Sequence, residues 1–410
     1  MRTVHLAESA GRLAPMSNAR ADEAMQRKTF DVVVAGAGLA GLAIALRLRS
    51  QGHSVCVVEK GGRIGLGSST QNEGWLHAGT FHATSVRDPV EAVRIAQRCI
   101  QGHERISKYA PECVEPEDTP SLAIVHDGEL EHALERWDRA SVAVSRASRS
   151  EREAIDADVR LAADEHVFRV ADVGINTRML FSRYLQDLAA LHVPVLLDTR
   201  VAGWTGTTLE LVQGDHEISL GCDHVVVAAG YGSAAALDEL GLPGVGFRYW
   251  LSHLCVTPRL SRSAVFSIAA GEAAMMTHGE ISITGLNQDA TLVDEPRFMP
   301  TEEGRAALLR ALSARFRHVP AAADVLVTAC TKVDFALEAS SSRSLNISVT
   351  EAAPNVTVAL PGKMTETPCV ADEVARKVFG ALGNAYIALR PMDQAGGLIT
   401  ARALTTKASA

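Results

Sequence analysis

Residues Thr29 to Gly52 read TFDVVVAGAGLAGLAIALRLRSQG, and no other stretch narrows the fold as much. TFDVVVA is apolar and β-branched without alternation, which suits a parallel strand buried on both faces. GAGLAG follows at once, and from Leu39 the apolar residues fall at helical spacing until Gly52 stops them. Ser54 to Val58 supplies a second strand that ends in Glu59, so the order is a βαβ unit with the usual right-handed crossover. Gly36, Gly38 and Gly41 fit G-x-G-x-x-G: a tight turn, a close backbone approach to pyrophosphate, and a helix lying tightly on its strand. Leu39 and Ala40 open the helix, whose amides and dipole favour phosphate. Glu59, followed by Lys60, is placed to accept hydrogen bonds from ribose hydroxyls. Its charge disfavours a 2′-phosphate, which points to FAD or NAD rather than NADP.

A chain of 410 residues exceeds what one hydrophobic core usually supports, so two structural parts are expected. A net charge of −8 leaves no basic footprint for nucleic acid and favours a small-molecule partner. The seven cysteines lie far apart with no C-x-x-C pair, which signals neither a zinc site nor a disulfide framework and fits a reducing cytoplasm. No metal is expected. The apolar run VVVAGAGLAGLAIAL is broken by glycines and ends at Arg47, so it does not suggest a membrane span. Residues 1–28 lack the apolar core of a secretory signal and are expected to form a flexible extension.

Further along, residues 86–109 have the pattern of an amphipathic helix with Asp88 as N-cap, Pro89 in the first turn, Glu91 closing a capping box and arginines toward solvent. Residues 171–204 predict a turn, a helix and a strand. A strand pair flanks QGDH at 213–216, and DHVVVAAGYG at 223–232 returns to a buried strand ending at Ala229 and Gly230. The interval 246–340 alternates strands around one strong helix, TEEGRAALLRALSARF, as in an antiparallel sheet with a helix. NVTVALPGKMTETPCVADEVARKVFGAL then repeats strand, turn and helix.

The segments VVVAGAGLAGLAIAL, VVEK, SSTQNEGWLHAG, DVGINTRML, DHVVVAAG and NVTVALPGKMTETP, in this order, resemble the D-amino-acid oxidase family of FAD-dependent oxidoreductases over most of residues 29–390. The resemblance implies an α/β fold: a Rossmann-like FAD-binding domain from 29–85, 168–245 and 341–390. An inserted α+β substrate domain on a mainly antiparallel sheet would come from 86–167 and 246–340, and residues 391–410 would form a tail. It also implies that Val201 lies near adenine, that Ala229 and Gly230 pass the dinucleotide, and that Gly362, Lys363 and Met364 contact the flavin pyrimidine. The family often has a glycine pair where LPGKMT has Gly362 alone. The GD motif usual in the monooxygenase branch is absent after residue 340, which favours dehydrogenation over hydroxylation.

SSTQNEGWLHAG is similar to the segment that crosses toward the flavin ring in L-2-hydroxyglutarate dehydrogenases and flavin-dependent glycerol-3-phosphate dehydrogenases. By that likeness Ser68, Ser69, Gln71 and Asn72 offer hydrogen bonds to the cofactor and His77 lies near the reactive ring. Three roles stay open for His77: the general base of an alcohol oxidation, a covalent attachment point as in dimethylglycine-dehydrogenase-like relatives, or a structural loop residue. Substrate contacts are expected from Arg248, Tyr249 and His253 in FRYWLSH and from Arg343 in SSSRSLN, against the plainer reading that each is an ion-paired strand residue. Lys363 would place a charge beside the flavin N1 and C2 carbonyl. The expected reaction is oxidation of a 2-hydroxy acid by hydride transfer to flavin N5, with oxygen or a quinone-like molecule as acceptor. Amine or amino-acid oxidation on the same fold, and non-catalytic FAD binding, are the alternatives.

Overall fold

The computed structural model describes residues 29–115, 120–287, 290–336, 343 and 345–379. The expected extension at 1–28, the tail at 391–410 and residues 380–390 lie outside them. The first sheet runs in the order Ser348–Ala353, Val356–Leu360, His216–Val227, Thr29–Ala35, Val55–Val58, Val195–Leu196. From Val356–Leu360 to Val195–Leu196 neighbouring strands are parallel, as buried apolar runs without alternation require. Val32, Val33 and Val34 are all fully buried, Val32 and Val34 on one face and Val33 on the other. Helices Leu39–Ser50, Thr177–Ala190 and Thr367–Phe379 cover the first face. The QGDH turn closes the hairpin of Thr208–Gln213 with His216–Val227, with Gly214 at φ 58°.

A second sheet is built mainly from the later half of the chain. Strand Phe247–Pro258 pairs antiparallel with Leu326–Phe335 over residues 247–256 and with Thr291–Val293 and Ile281–Leu286 on its other edge. The order continues through Ala273–His278, Val265–Ser267, Ser121–His126, Glu165–Val170 and Val144–Arg146. One neighbouring pair, Val265–Ser267 with Ser121–His126, is parallel, so the sheet is mainly antiparallel. Helix Glu302–Arg315 lies against it, capped by the Thr301 hydroxyl, which accepts from the Gly304 amide. Strand Glu165–Val170 pairs wholly within this sheet, so a boundary at residue 168 cuts a strand; the chain leaves the sheet at Ala171.

Helix Pro89–Tyr109 starts at Asp88, whose carboxylate accepts from the amides of Val90 and Glu91. Glu91 does not close a capping box, because its carboxylate is taken by Arg94 and Asn346. Its arginines do not all face water either: Arg105 bonds Asp372 at 2.8 Å, and Arg98 reaches Glu373 on the last helix. At Gly102 an added Cβ would lie 2.0 Å from the Thr365 oxygen. A helix expected to belong to the substrate domain is therefore packed on the nucleotide-binding layer.

Candidate active site

At the mouth of the first sheet the glycines are required for different reasons. Gly36 has φ 113°, and a Cβ there would lie 2.6 Å from the Ala228 oxygen. A Cβ on Gly41 would lie 1.9 Å from the Gly36 oxygen, so helix and strand approach as only glycine permits. Gly38 is less crowded, with a Cβ meeting only the Ser69 hydroxyl at 3.3 Å. Around this turn Glu59 accepts from the amides of Ala37 (2.9 Å) and Gly61 (2.8 Å), and Ser69 accepts from Leu39 N–H. Lys60 lies over the Tyr231 ring, next to Ala229 and Gly230. Leu39 and Ala40 are buried, leaving their main chain as the part that can meet a ligand. The same holds for Val201, whose side chain is 5% exposed in the core beneath the sheet.

Between the two sheets lies a cavity of about 1150 Å³. Its walls come from Trp75 and His77, the start of helix Pro89–Tyr109, the central strands of the second sheet and Lys363. Strand alternation sends Arg248, Trp250 and Ser252 toward it, so Tyr249 and His253 point the other way. Tyr249 turns toward the helix Ser233–Glu239, where burial and Asp238 push its phenol up. His253 is buried behind the strand. Its Nε2 accepts from the Thr301 amide at 3.2 Å, and its ring fills the space a side chain at Gly304 would need. The expectation that Tyr249 and His253 contact substrate is corrected by this geometry.

Arg248 does face the cavity but is engaged: its Nε and Nη2 donate to the Asp334 carboxylate at 3.1 and 2.9 Å, and Trp250 Nε1 donates to the same group at 3.0 Å. Arg343 is placed differently. One Nη2 donates to the Gly362 oxygen at 3.1 Å, while its buried Nε has no partner among the described residues. Lys332, Lys363 and Arg343 together give the cavity a cationic floor, with Glu73 as counter-charge. Burial, reinforced by Arg343 and Lys332, pushes the Lys363 ammonium down to about 7. Burial opposes ionisation of Glu73 too, but Lys332 and a hydrogen bond from its own backbone hold the carboxyl below its usual value. Met364 packs on the first core, and a Cβ on Gly362 would lie 1.8 Å from the Leu345 oxygen.

The SSTQNEGWLHAG segment joins the cradle to the cavity. Ser68 donates to the Thr331 oxygen at 2.6 Å. Asn72 is spent within the loop, donating to the Ser68 and Ser69 oxygens and accepting from Gly74 N–H, so its role is to shape the turn. Gln71 Oε1 is buried with no partner among the described residues. Strand Trp75–Leu76 pairs with Val173–Gly174 in the register Trp75 to Gly174 and Leu76 to Val173, and continuing it by one residue sets His77 opposite Asp172. Asp172 Oδ1 lies 3.3 Å from His77 Nδ1. Burial lowers the His77 pKa, Lys363 lowers it further, and Asp172 pulls the other way.

Asp172, Glu73 and Lys332 were not among the residues singled out from sequence. Asp172 and Glu73 sit inside or beside quoted motifs, ADVG and SSTQNEGWLHAG, but only the antiparallel register joins the first of them to His77. Behind the site Glu366 is buried with both carboxyl oxygens unpartnered among the described residues; burial pushes it up to about 7 against the pull of Arg98 and Lys363. Its folded pKa thus exceeds the unfolded one. The native state binds the extra proton between about pH 4.5 and 7, and stability falls as pH rises through that window. Glu366→Gln is expected to abolish this fall and to raise the unfolding free energy at pH 8 by about 3 kcal/mol, measured by urea unfolding at pH 5 and pH 8.

The residues fit a flavin dinucleotide. The glycine cradle leaves room at Gly38, Gln71 Oε1 is unsatisfied, and the cavity can hold a tricyclic ring together with a small molecule. Fold and site together define a dinucleotide-dependent oxidoreductase with a substrate-covering second sheet. The profile of the DAO family, described as FAD dependent oxidoreductase, matches residues 31–340, and the chain belongs to that family. It is an FAD-dependent enzyme. The mitochondrial L-2-hydroxyglutarate dehydrogenase of Arabidopsis thaliana is 30% identical over 109 residues, 27% of this chain and 21% of that protein, so the match spans about a fifth of that relative's length. A dithionite-reduced L-α-glycerophosphate oxidase from Mycoplasma pneumoniae with FAD bound superposes with a TM-score of 0.69 at 16% identity, covering 86% of this chain and 95% of that one. Glycine oxidase from Geobacillus kaustophilus gives 0.65 at 16% identity over the same shares. At such identities the likeness establishes the fold. Among the described residues no helix is long and apolar enough to cross a membrane.

Proposed function

We propose that this enzyme oxidises the alcohol of a small 2-hydroxy acid to the 2-oxo acid. The observation that carries the reading is a histidine beside a cationic cavity floor: His77 at one wall, with Arg343, Lys332 and Lys363 within the same cavity. Bound FAD supplies a hydride acceptor at N5. The chain must then hold the carboxylate, take the hydroxyl proton and keep water from the hydride path. Arg343 suits the first task, because its buried guanidinium retains an unpartnered Nε and can form charge-assisted bonds to a carboxylate. Lys332 is balanced by Glu73, and Lys363, which lines the same cavity, would offer its charge to the bound flavin. His77 suits the second task, since burial keeps its imidazole neutral near pH 7. Trp75, Trp250 and Phe266 give the cavity its apolar walls.

The cradle residues Gly36, Gly38, Gly41, Glu59, Lys60, Ser69, Ala229 and Gly230 would hold the dinucleotide, with Ser68 and Gln71 along the path to the ring. Six of the seven cysteines are buried and no disulfide joins any of them among the described residues, which supports a reducing compartment and a cytoplasmic location. The electron acceptor in this reading is oxygen or a quinone-like molecule.

Product analysis tests the proposal. Incubation with paired 2-hydroxy and 2-amino acids of equal chain length should yield 2-oxo acid from the hydroxy member alone. Ammonia release from the amino member, with the hydroxy acid inert, would move the assignment to amino-acid oxidation. Arg343→Met should raise the KM for the hydroxy acid by about 10- to 100-fold while FAD stays bound, as seen in steady-state kinetics beside the flavin absorbance ratio.

A further inference from the structure

We infer that Asp172 is the positioning residue of His77: it fixes the imidazole with its proton on Nδ1 and so presents an unprotonated Nε2 to the cavity. This rests on the proposed role of His77 as base. The Asp172 carboxyl is fully buried. Oδ1 takes the Ala78 backbone N–H at 3.1 Å, and Oδ2 takes the Thr80 hydroxyl at 2.5 Å. A backbone amide cannot reverse its role, so Oδ1 is an acceptor, and the His77 Nδ1 that meets it at 3.3 Å must be the donor. A neutral imidazole carries one proton, so the proton on Nδ1 leaves Nε2 bare.

The rest of the surroundings agree with this orientation. The His77 backbone N–H donates to Thr365 Oγ1 at 3.0 Å, which fixes the strand end. His82 meets the ring edge-on at a centroid distance of 4.5 Å, and burial holds its pKa well below 6.5, so a neutral neighbour lies there. Cys99 lies behind His82. Lys363 and Glu73 act on His77 with opposite sign, and Arg343 and Lys332 line the same cavity. Asp172 is therefore the anion in direct contact with the ring.

The proton count closes. The substrate O–H bond breaks and its proton goes to His77 Nε2; the C2–H bond breaks and its electron pair leaves with the hydride to bound FAD; the imidazolium then carries a proton on each nitrogen. Asp172 keeps its charge and accepts no proton, as in a histidine–carboxylate pair of a hydrolase.

The test uses the holoenzyme. Asp172→Asn can keep an oxygen toward Ala78 and His77 and an amide toward the Thr80 hydroxyl, so it removes the charge and retains the shape. It should slow anaerobic flavin reduction by about 10- to 100-fold and shift the acid limb of its pH profile to lower pH, because the group that favoured the imidazolium is gone. Asp172→Glu should restore part of the rate. Asp172→Ala removes the acceptor of the Nδ1 proton as well and should be slower still; an unchanged rate and an unchanged limb in both variants would overturn the positioning role. The parent reading fails separately: it is lost if His77→Asn reduces its flavin at the wild-type rate. If His77→Asn is slow while both Asp172→Asn and Asp172→Ala match wild type, only the inference about Asp172 falls.

Discussion

Replacing His77 with Asn slows anaerobic reduction of the bound flavin by a 2-hydroxy acid about 10²- to 10⁴-fold while FAD stays bound. The size follows from removing a positioned base from a reaction that must release a hydroxyl proton. Asn is the informative choice, because its amide can still donate toward Asp172 Oδ1, whereas it offers no basic nitrogen to the cavity. The pH profile adds a sign. Burial holds the His77 pKa below 6.5, so the limb that belongs to His77 lies on the acid side, where the base becomes protonated. In His77→Asn that acid limb disappears. Stopped-flow absorbance across pH measures both effects. The same preparations decide the attachment question, since heat denaturation of wild type should release free FAD if His77 is a base, and colour that stays on the polypeptide would make it a covalent anchor.

Gly38→Val yields a folded protein that no longer retains FAD. At this position a Cβ meets only the Ser69 hydroxyl at 3.3 Å, and the backbone lies at φ −73° and ψ 172°, which a β-branched residue adopts readily. The chain itself therefore tolerates the substitution. A pyrophosphate held at this turn would not, because it needs the bare backbone there. FAD affinity should fall by at least about 100-fold. Gly41→Ala is the contrast: a Cβ 1.9 Å from the Gly36 oxygen forces helix and strand apart and destabilises the fold directly. Thermal unfolding with and without added FAD separates the two cases, since a ligand that binds only the native state raises Tm with its concentration. Wild type should show that rise, Gly38→Val should melt cooperatively without it, and Gly41→Ala should melt early or not express in soluble form.

Much of this architecture follows from local sequence patterns. The buried-strand run before GAGLAG, the return of that pattern at DHVVVAAG and again at NVTVALP, and the glycine spacing each specify their neighbours, so the parallel sheet is legible from one chain. Helix caps at Asp88 and Thr301 fall where local chemistry puts them. What escapes is any property that depends on pairing across distant segments. FRYWLSH presents an arginine, a tyrosine and a histidine as equals in sequence, but a strand can face only alternate residues into the cavity, and the one that faces it is already bound by Asp334. Asp172 is an ordinary aspartate in ADVG until the two-residue ladder with Trp75–Leu76 brings it to His77. Arg343 and Lys363 are met from sequence as separate turn residues, yet the fold stacks them with Lys332 into one charged floor. The boundary at residue 168 failed for a similar reason: the strand Glu165–Val170 carries no local mark of which sheet it joins.

Hydride transfer from a 2-hydroxy acid is read most directly in anaerobic flavin reduction with the acid carrying deuterium at C2, compared with the protiated acid, in wild type at neutral pH. The bound flavin should bleach completely in both cases, several-fold more slowly with deuterium, with stoichiometric 2-oxo acid in the filtrate. Flavin that stays oxidised with every 2-hydroxy acid but bleaches with an amino acid would contradict the proposed alcohol oxidation.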